Sequence, residues 1–180
     1  MLAIFLLYAS NHLLMWTLPL YLTDAFSSAS SIGLIVGLMA VSAVLLRPWA
    51  GEWADRYGRK VLILLGAACF AVAPFFYLAA GSVPMLVAGR LLHGVGICLF
   101  TTGYGALIPD LAVPGRRGEA IGLASISMPM SMMIIPRLGS LVQDREGFPF
   151  LFWLSAAVAV AALGVALTLP TGNRRHSASA

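Results

Sequence analysis

The chain has 180 residues, of which 60% are hydrophobic and 10% charged, with a net charge of +4 and a mean hydropathy of +0.92. Soluble domains carry about 25% charged residues, so this composition excludes an ordinary soluble domain and specifies an integral membrane protein. The apolar runs are long and lack period-2 alternation, which argues against a transmembrane β-barrel, and the basic surplus sits between those runs, where it signals topology rather than nucleic-acid binding.

At roughly 20 residues per spanning helix, the length accommodates six spans, so the expected fold is all-α and polytopic. Span 1 is predicted over about 2–22, with Asn11 and His12 near its centre, then Trp16, Pro19 and Tyr21; it lacks the basic n-region of a cleavable signal. Span 2, about 31–50, carries Gly33 and Gly37 four apart, a spacing that lets helices approach closely. The densest polar stretch of the chain follows, Arg47-Pro48-Trp49-Ala50-Gly51-Glu52-Trp53-Ala54-Asp55-Arg56-Tyr57-Gly58-Arg59-Lys60. Such a charge cluster must lie outside the hydrocarbon. It is expected to be a short hinge between two helices, with Gly51 and Gly58 permitting a tight turn.

Span 3 is predicted over about 61–80, then Gly81-Ser82, then span 4 over about 83–108. Span 4 holds Arg90, the one strongly charged residue well inside a span, and His93 one turn on. An intramembrane ionisable group is a functional candidate by default, and the polar centre of span 1, Asn11 and His12, is its expected partner. The connection 109–118 contains Asp110, Arg116 and Arg117, and Gly118 and Gly122 repeat the small-residue spacing. Span 5, about 119–141, contains Pro129 and Pro136, which with Pro19 are helix-bend candidates. Span 6 is predicted over about 149–169, giving a bundle over 1–169 and a tail over 170–180. Cys69 and Cys98 fall inside spans without ligand-like neighbours and read as packing residues; no metal site or cofactor is expected.

Arg47, Arg56, Arg59, Lys60, Arg116, Arg117, Arg174 and Arg175 fall on one side, against Arg145 and the helix-end Arg137 on the other. The positive-inside bias therefore places both termini in the cytoplasm. An internal echo supports a repeated plan: Pro48-Trp49-Ala50-Gly51 followed by Asp55-Arg56-Tyr57-Gly58, and Pro136-Arg137-Leu138-Gly139 followed by Asp144-Arg145-Glu146-Gly147. The two spacers differ by one residue and would lie on opposite sides of the membrane, as an inverted three-plus-three repeat requires.

Gly51-Glu52-Trp53-Ala54-Asp55-Arg56-Tyr57-Gly58-Arg59-Lys60 resembles the helix 2–3 signature of the major facilitator superfamily. Arg90-Leu91-Leu92-His93-Gly94-Val95-Gly96 is similar to that family's helix 4 signature, Arg-x-x-Gln-Gly-x-Gly. Pro109-Asp110-Leu111 with Arg116-Arg117-Gly118-Glu119-Ala120 matches a third region. The resemblance implies a secondary transporter working by alternating access, with two six-span halves enclosing the substrate near the midplane. This chain resembles the N-terminal half. Its expected partners are the lipid bilayer, a small-molecule substrate, and a second six-helix half or partner chain, in the cell (plasma or inner) membrane. The tail resembles the start of the linker between halves.

By resemblance, Gly51, Asp55, Arg56, Gly58, Arg59 and Asp110 form a cytoplasmic gate, with Arg59 and Asp110 a latch within this half; the alternative is a purely topological basic anchor. Asn11, His12, Arg90 and His93 are substrate or proton-coupling candidates. Arg90 reads equally as a structural arginine, and the histidines as packing residues. Helix 5 antiporters show Gly-Pro-x-x-Gly-Gly, and Ile135-Pro136-Arg137-Leu138-Gly139-Ser140 matches it in part, which favours efflux. The competing expectation is a six-span protein that does not transport and docks on another membrane protein through spans 2 and 5. An intramembrane enzyme is set aside, since the chain has neither Gly-x-Ser nor His-Glu-x-x-His.

Overall fold

The computed structural model describes residues 1–25, 29–79 and 82–170, and among these every regular element is helical. In chain order they are α1 (Leu2–Ala25), α2 (Ala29–Tyr57), α3 (Arg59–Leu78), α4 (Val83–Leu111), α5 (Arg117–Ser125) and α6 (Ser127–Leu167). Of the connection between the first two spans, 23–25 continue α1; 26–28, Gly81 and the tail beyond Pro170 lie outside the described residues. Five stretches are long and apolar enough to cross a membrane, the last covering 117–167. That last stretch is broken at Gly147, where φ is 80° and ψ is 176°. The two rods on either side correspond in position to the expected fifth and sixth spans.

The helices run further than their apolar content suggests. α2 does not end near residue 50 but continues to Tyr57, so the charged stretch is mostly helix rather than a hinge loop. Glu52 to Tyr57 contain neither glycine nor proline, and a polar sequence at a membrane surface has no reason to unwind. The joint to α3 is one residue, Gly58, at φ 100° and ψ 146°. Gly51 is no part of a turn, and a Cβ there would meet nothing within 4 Å. Residues 143–146, expected as a connection, are likewise helical up to Gly147. Both copies of the sequence echo thus end on the same device, a glycine at positive φ joining consecutive rods.

The prolines divide. Pro19 and Pro136 lie inside continuous helix. Pro129 sits in the first turn of α6, just after the α5–α6 interruption at Ile126. A proline there has no N–H to give the carbonyl four residues back and its ring opposes that carbonyl, which places the interruption upstream of it.

α3 and α4 pack along their length because α4 presents Gly89, Gly96 and Gly103, two turns apart on one face. A Cβ at these positions would come within 2.7 Å of Tyr77 Cε1, 2.9 Å of Cys69 Cβ and 2.9 Å of the Arg59 carbonyl oxygen, respectively. On another face, Gly94 lies against Met39 and Ser42 of α2. α1 is tied to the second rod of α6 by buried Ser10 and Ser155: each hydroxyl donates to the other's backbone carbonyl, at 3.0 and 3.2 Å. Leu14, Leu18 and Leu22 of α1 pack with Leu151 and Phe152 beside them.

The small-residue pairs singled out from sequence are not used this way. A Cβ at Gly33, Gly37, Gly118 or Gly122 would meet nothing within 4 Å. The faces they belong to stay open, with Leu34 at 73%, Val44 at 68% and Met133 at 76% exposure.

Candidate functional site

A cavity of about 300 Å³ opens between α1, α4 and the first rod of α6. α1 contributes Tyr8, Asn11, His12, Met15 and Trp16, which recur at helical spacing on one side. α4 contributes Ile97 and Thr101, and α6 contributes Met128 and Met132. No lining residue is charged. Most of the polar groups are held by protein: the Tyr8 hydroxyl bonds to that of Tyr104 at 2.9 Å, Thr101 donates to the Ile97 carbonyl at 2.7 Å, and His12 Nδ1 bonds to Ser131 Oγ at 2.8 Å. Asn11 is buried, and its Oδ1 has no hydrogen-bond partner. Fixed polar groups among aromatic rings and pliable thioethers suit a cavity that accepts varied apolar solutes.

Of the intramembrane candidates, Asn11 and His12 therefore share this cavity, whereas Arg90 and His93 do not. Arg90 lies on the same face of α4 as Ile97 and Thr101 but two turns nearer the other end, about 10 Å away. There α2 and α3 close over it. Its Nη1 donates to Met39 Sδ at 3.5 Å, and no hydrogen bond joins it to Asn11 or His12, the partners expected in span 1. His93 is fully buried, with the Phe70 ring edge-on at a centroid distance of 5.0 Å. The sequence reading missed Met128, Met132 and Thr101. The run Ser127-Met128-Pro129-Met130-Ser131-Met132-Met133, with its concentration of thioethers, was the available signal.

At the basic ends of the helices, α3 begins with Arg59 and Lys60. Cations at a helix N-terminus oppose the helix dipole, so both are locally misplaced, and both reach the C-terminal end of a neighbour. Arg59 pairs with Asp110 in the last turn of α4 and donates to the Ala106 carbonyl at 2.8 Å. Lys60 Nζ donates to the carbonyls of Leu167 and Leu169 at the end of α6, at 2.7 and 2.5 Å. Lys60 thus satisfies carbonyls at the end of α6, while Arg59 holds the last turns of α4 through Asp110 and the Ala106 carbonyl. Lys60 was not among the expected gate residues.

Of the other gate candidates, Gly58 supplies the joint, a Cβ at Gly51 would meet nothing within 4 Å, and Arg56 lies over the Tyr57 ring at 5.5 Å. Asp55 is exposed and has no ion-pair partner among the described residues. The Arg59 and Asp110 side chains are about 30% exposed. Asp110→Asn is therefore expected to lower stability by less than about 1 kcal/mol, and Arg59→Ala to cost more because it also removes the hydrogen bond to the Ala106 carbonyl. Denaturation of the two variants in mixed micelles checks the order.

The Major Facilitator Superfamily model matches residues 1–180. Multidrug resistance protein 1 of Bacillus subtilis (strain 168) is 30% identical over 157 residues, 87% of this chain and 40% of that protein. Quinolone resistance protein NorA of Staphylococcus aureus is 27% identical over 150 residues, 83% of this chain and 39% of that protein. The chain thus spans about 40% of the length of the curated relatives it matches. Among solved structures, a crystal structure of a D-xylose-proton symporter superposes with a TM-score of 0.83 at 16% identity, over 96% of this chain and 47% of that one. The xylose transporter of E. coli in an inward-open conformation gives 0.79 at 17% identity, over 95% and 47%. These structural likenesses concern the fold alone. With the family matched from first residue to last, this multi-pass α-helical membrane protein belongs to the Major Facilitator Superfamily.

Proposed function

We propose that the chain is the N-terminal six-helix half of a secondary transporter that exports small, largely apolar solutes by alternating access. The observation that carries this reading is the uncharged cavity between α1, α4 and α6, with its aromatic and methionine lining. Relatives named for multidrug and quinolone resistance support export as the direction. The open faces of α2, α5 and the first rod of α6 fit a second six-helix body that would close the cavity. The basic helix ends fit a cytoplasmic location in the cell membrane under the positive-inside rule.

Proton coupling within this half falls to His12. Histidine titrates near physiological pH, and of the two intramembrane histidines His12 lines the cavity while His93 is sealed from it. The test is ethidium efflux from cells expressing this chain together with the remaining half of the Bacillus relative. Efflux is expected, with a dependence on external pH that flattens in His12→Asn and persists in His93→Asn. Absence of efflux would overturn the transporter reading in favour of a six-helix body that only docks on other membrane proteins. Efflux with an unaltered pH profile in His12→Asn would overturn the coupling role alone.

A further inference from the structure

The cavity between α1, α4 and the first rod of α6 has a charge at its rim. Arg47 of α2 is exposed, and its Nη2 donates to the Oγ1 of Thr101, a wall residue of that cavity, at 3.5 Å. The bond is long and engages one of the five N–H groups of a guanidinium. Arg47 has no ion-pair partner among the described residues. Its charge is permanent, since a guanidinium does not lose its proton in proteins.

The contact lies well inside the helix ends. Thr101 precedes Asp110, in the last turn of α4, by nine residues, about 14 Å along the helix. Arg47 precedes Tyr57, the last residue of α2, by ten residues, about 15 Å. A cation at such depth belongs beside a wet cavity rather than lipid, and the bond to Thr101 shows that Arg47 turns toward α4.

The chain supplies no carboxylate at this place. Glu52, the next acid on α2, follows Arg47 by five residues and stands about 140° around the helix from it. α1 has no acid before Asp24, α4 none before Asp110, and the first rod of α6 none before Asp144, near the break at Gly147. Glu119 of α5 is taken by Arg116. Beside this unbalanced cation the cavity wall offers ring faces at Tyr8 and Trp16 and thioethers at Met128 and Met132. An apolar slot with one cation at its edge complements a flat apolar anion. We propose that the cavity takes aromatic monocarboxylates, with the rings among these side chains and the carboxylate on Arg47, whose planar fork matches two carboxylate oxygens. The inference rests on the reading of the cavity as a solute site and names one class of solute for it.

The test is binding of 2-naphthoate to the purified chain in non-ionic detergent micelles, with uncharged 2-naphthamide as the matched control. Trp16 lines the cavity, so its fluorescence reports occupancy once Trp49, Trp53 and Trp153 are replaced by Phe. Both probes are expected to quench it saturably, with naphthoate binding about tenfold more tightly, as a charge-assisted hydrogen bond implies. Arg47→Gln should erase that advantage and leave naphthamide binding unchanged, which also shows that the variant is folded. Equal affinities in the parent chain, or an advantage that survives Arg47→Gln, would overturn the carboxylate site and leave the solute cavity standing. Absence of saturable quenching by either probe would overturn both. Repeating the comparison after co-purification with the remaining half of the Bacillus relative separates a solute from a protein counter-charge. Loss of the naphthoate advantage there would overturn the proposal by giving Arg47 a partner in the second half.

Discussion

Gly94→Ala is expected to force α2 away from α4 and to destabilise the chain more than any comparably small change elsewhere on α4. A methyl group at this position would collide with the Met39 carbonyl and the Ser42 hydroxyl of α2. The hydroxyl can rotate, although it already donates to Met39 O at 3.1 Å; the carbonyl belongs to a helix backbone and cannot. Overpacking of this kind costs typically about 1–3 kcal/mol, and a rigid backbone obstacle puts Gly94 at the upper end. The displacement would also disturb Ala50 and Ala54 further along, which are buried with α4 residues such as Leu99. Gly33→Ala and Gly37→Ala are the controls, since added methyls there meet nothing within 4 Å and alanine is the better helix former. Titration of helicity with sodium dodecyl sulfate in mixed micelles should show an early transition for Gly94→Ala and unchanged or later ones for the controls. Coincident transitions for all three would mean that α2 and α4 do not approach as described.

Gly147→Val is expected to disrupt the return of the chain after the first rod of α6. At φ 80° and ψ 176° the residue occupies a region essentially reserved for glycine, and a β-branched side chain there costs about 1–3 kcal/mol if the backbone holds its shape. The other outcome is that the break heals into helix. A continuous helix over the 51 residues 117–167 would be about 76 Å long, more than twice the roughly 30 Å hydrocarbon thickness. The second rod would then swing away from α1, losing the Ser10–Ser155 hydrogen bonds and the packing of Phe152 on Tyr21, whose rings meet at 5.5 Å. Either route lowers stability. Disulfide cross-linking between Ser10→Cys and Ser155→Cys separates them: strain alone preserves the cross-link, and healing abolishes it. Unchanged stability with full cross-linking would show that Gly147 is not needed for the break. Gly58→Val, at φ 100°, tests the same device at the other copy of the echo.

The intramembrane residues show where sequence reasoning stops. Helical spacing puts Arg90, Ile97 and Thr101 on one face of α4, because angular position follows from 3.6 residues per turn. It could not give the depth at which neighbouring helices cross, and two turns of difference moved Arg90 from the cavity to an enclosed spot beside Met39 and Tyr77. The glycines teach the same lesson in reverse. Gly33–Gly37 and Gly118–Gly122 matched the expected small-residue pattern yet face open space, while Gly89, Gly96 and Gly103, spaced by seven, carry the α3–α4 contact. Spacing says that a helix could be approached, and only the partner's position says which face is.

By itself, the sequence determined membrane residence, the order of the apolar rods, the family signature from Gly51 to Lys60, and the echo of its Asp-Arg-x-Gly segment at Asp144 to Gly147. These depend on composition, local breakers and charge, which act over a few residues and need no knowledge of the fold. Tertiary structure alone decided that the signature is mostly helix, that Arg59 and Lys60 clamp the ends of α4 and α6, that His12 faces the cavity while His93 does not, and that Arg90 is enclosed without a counter-charge. Each of these is a relation between residues distant in sequence. It is fixed by how deeply rigid helices interlock, a quantity that no periodicity along a single helix contains.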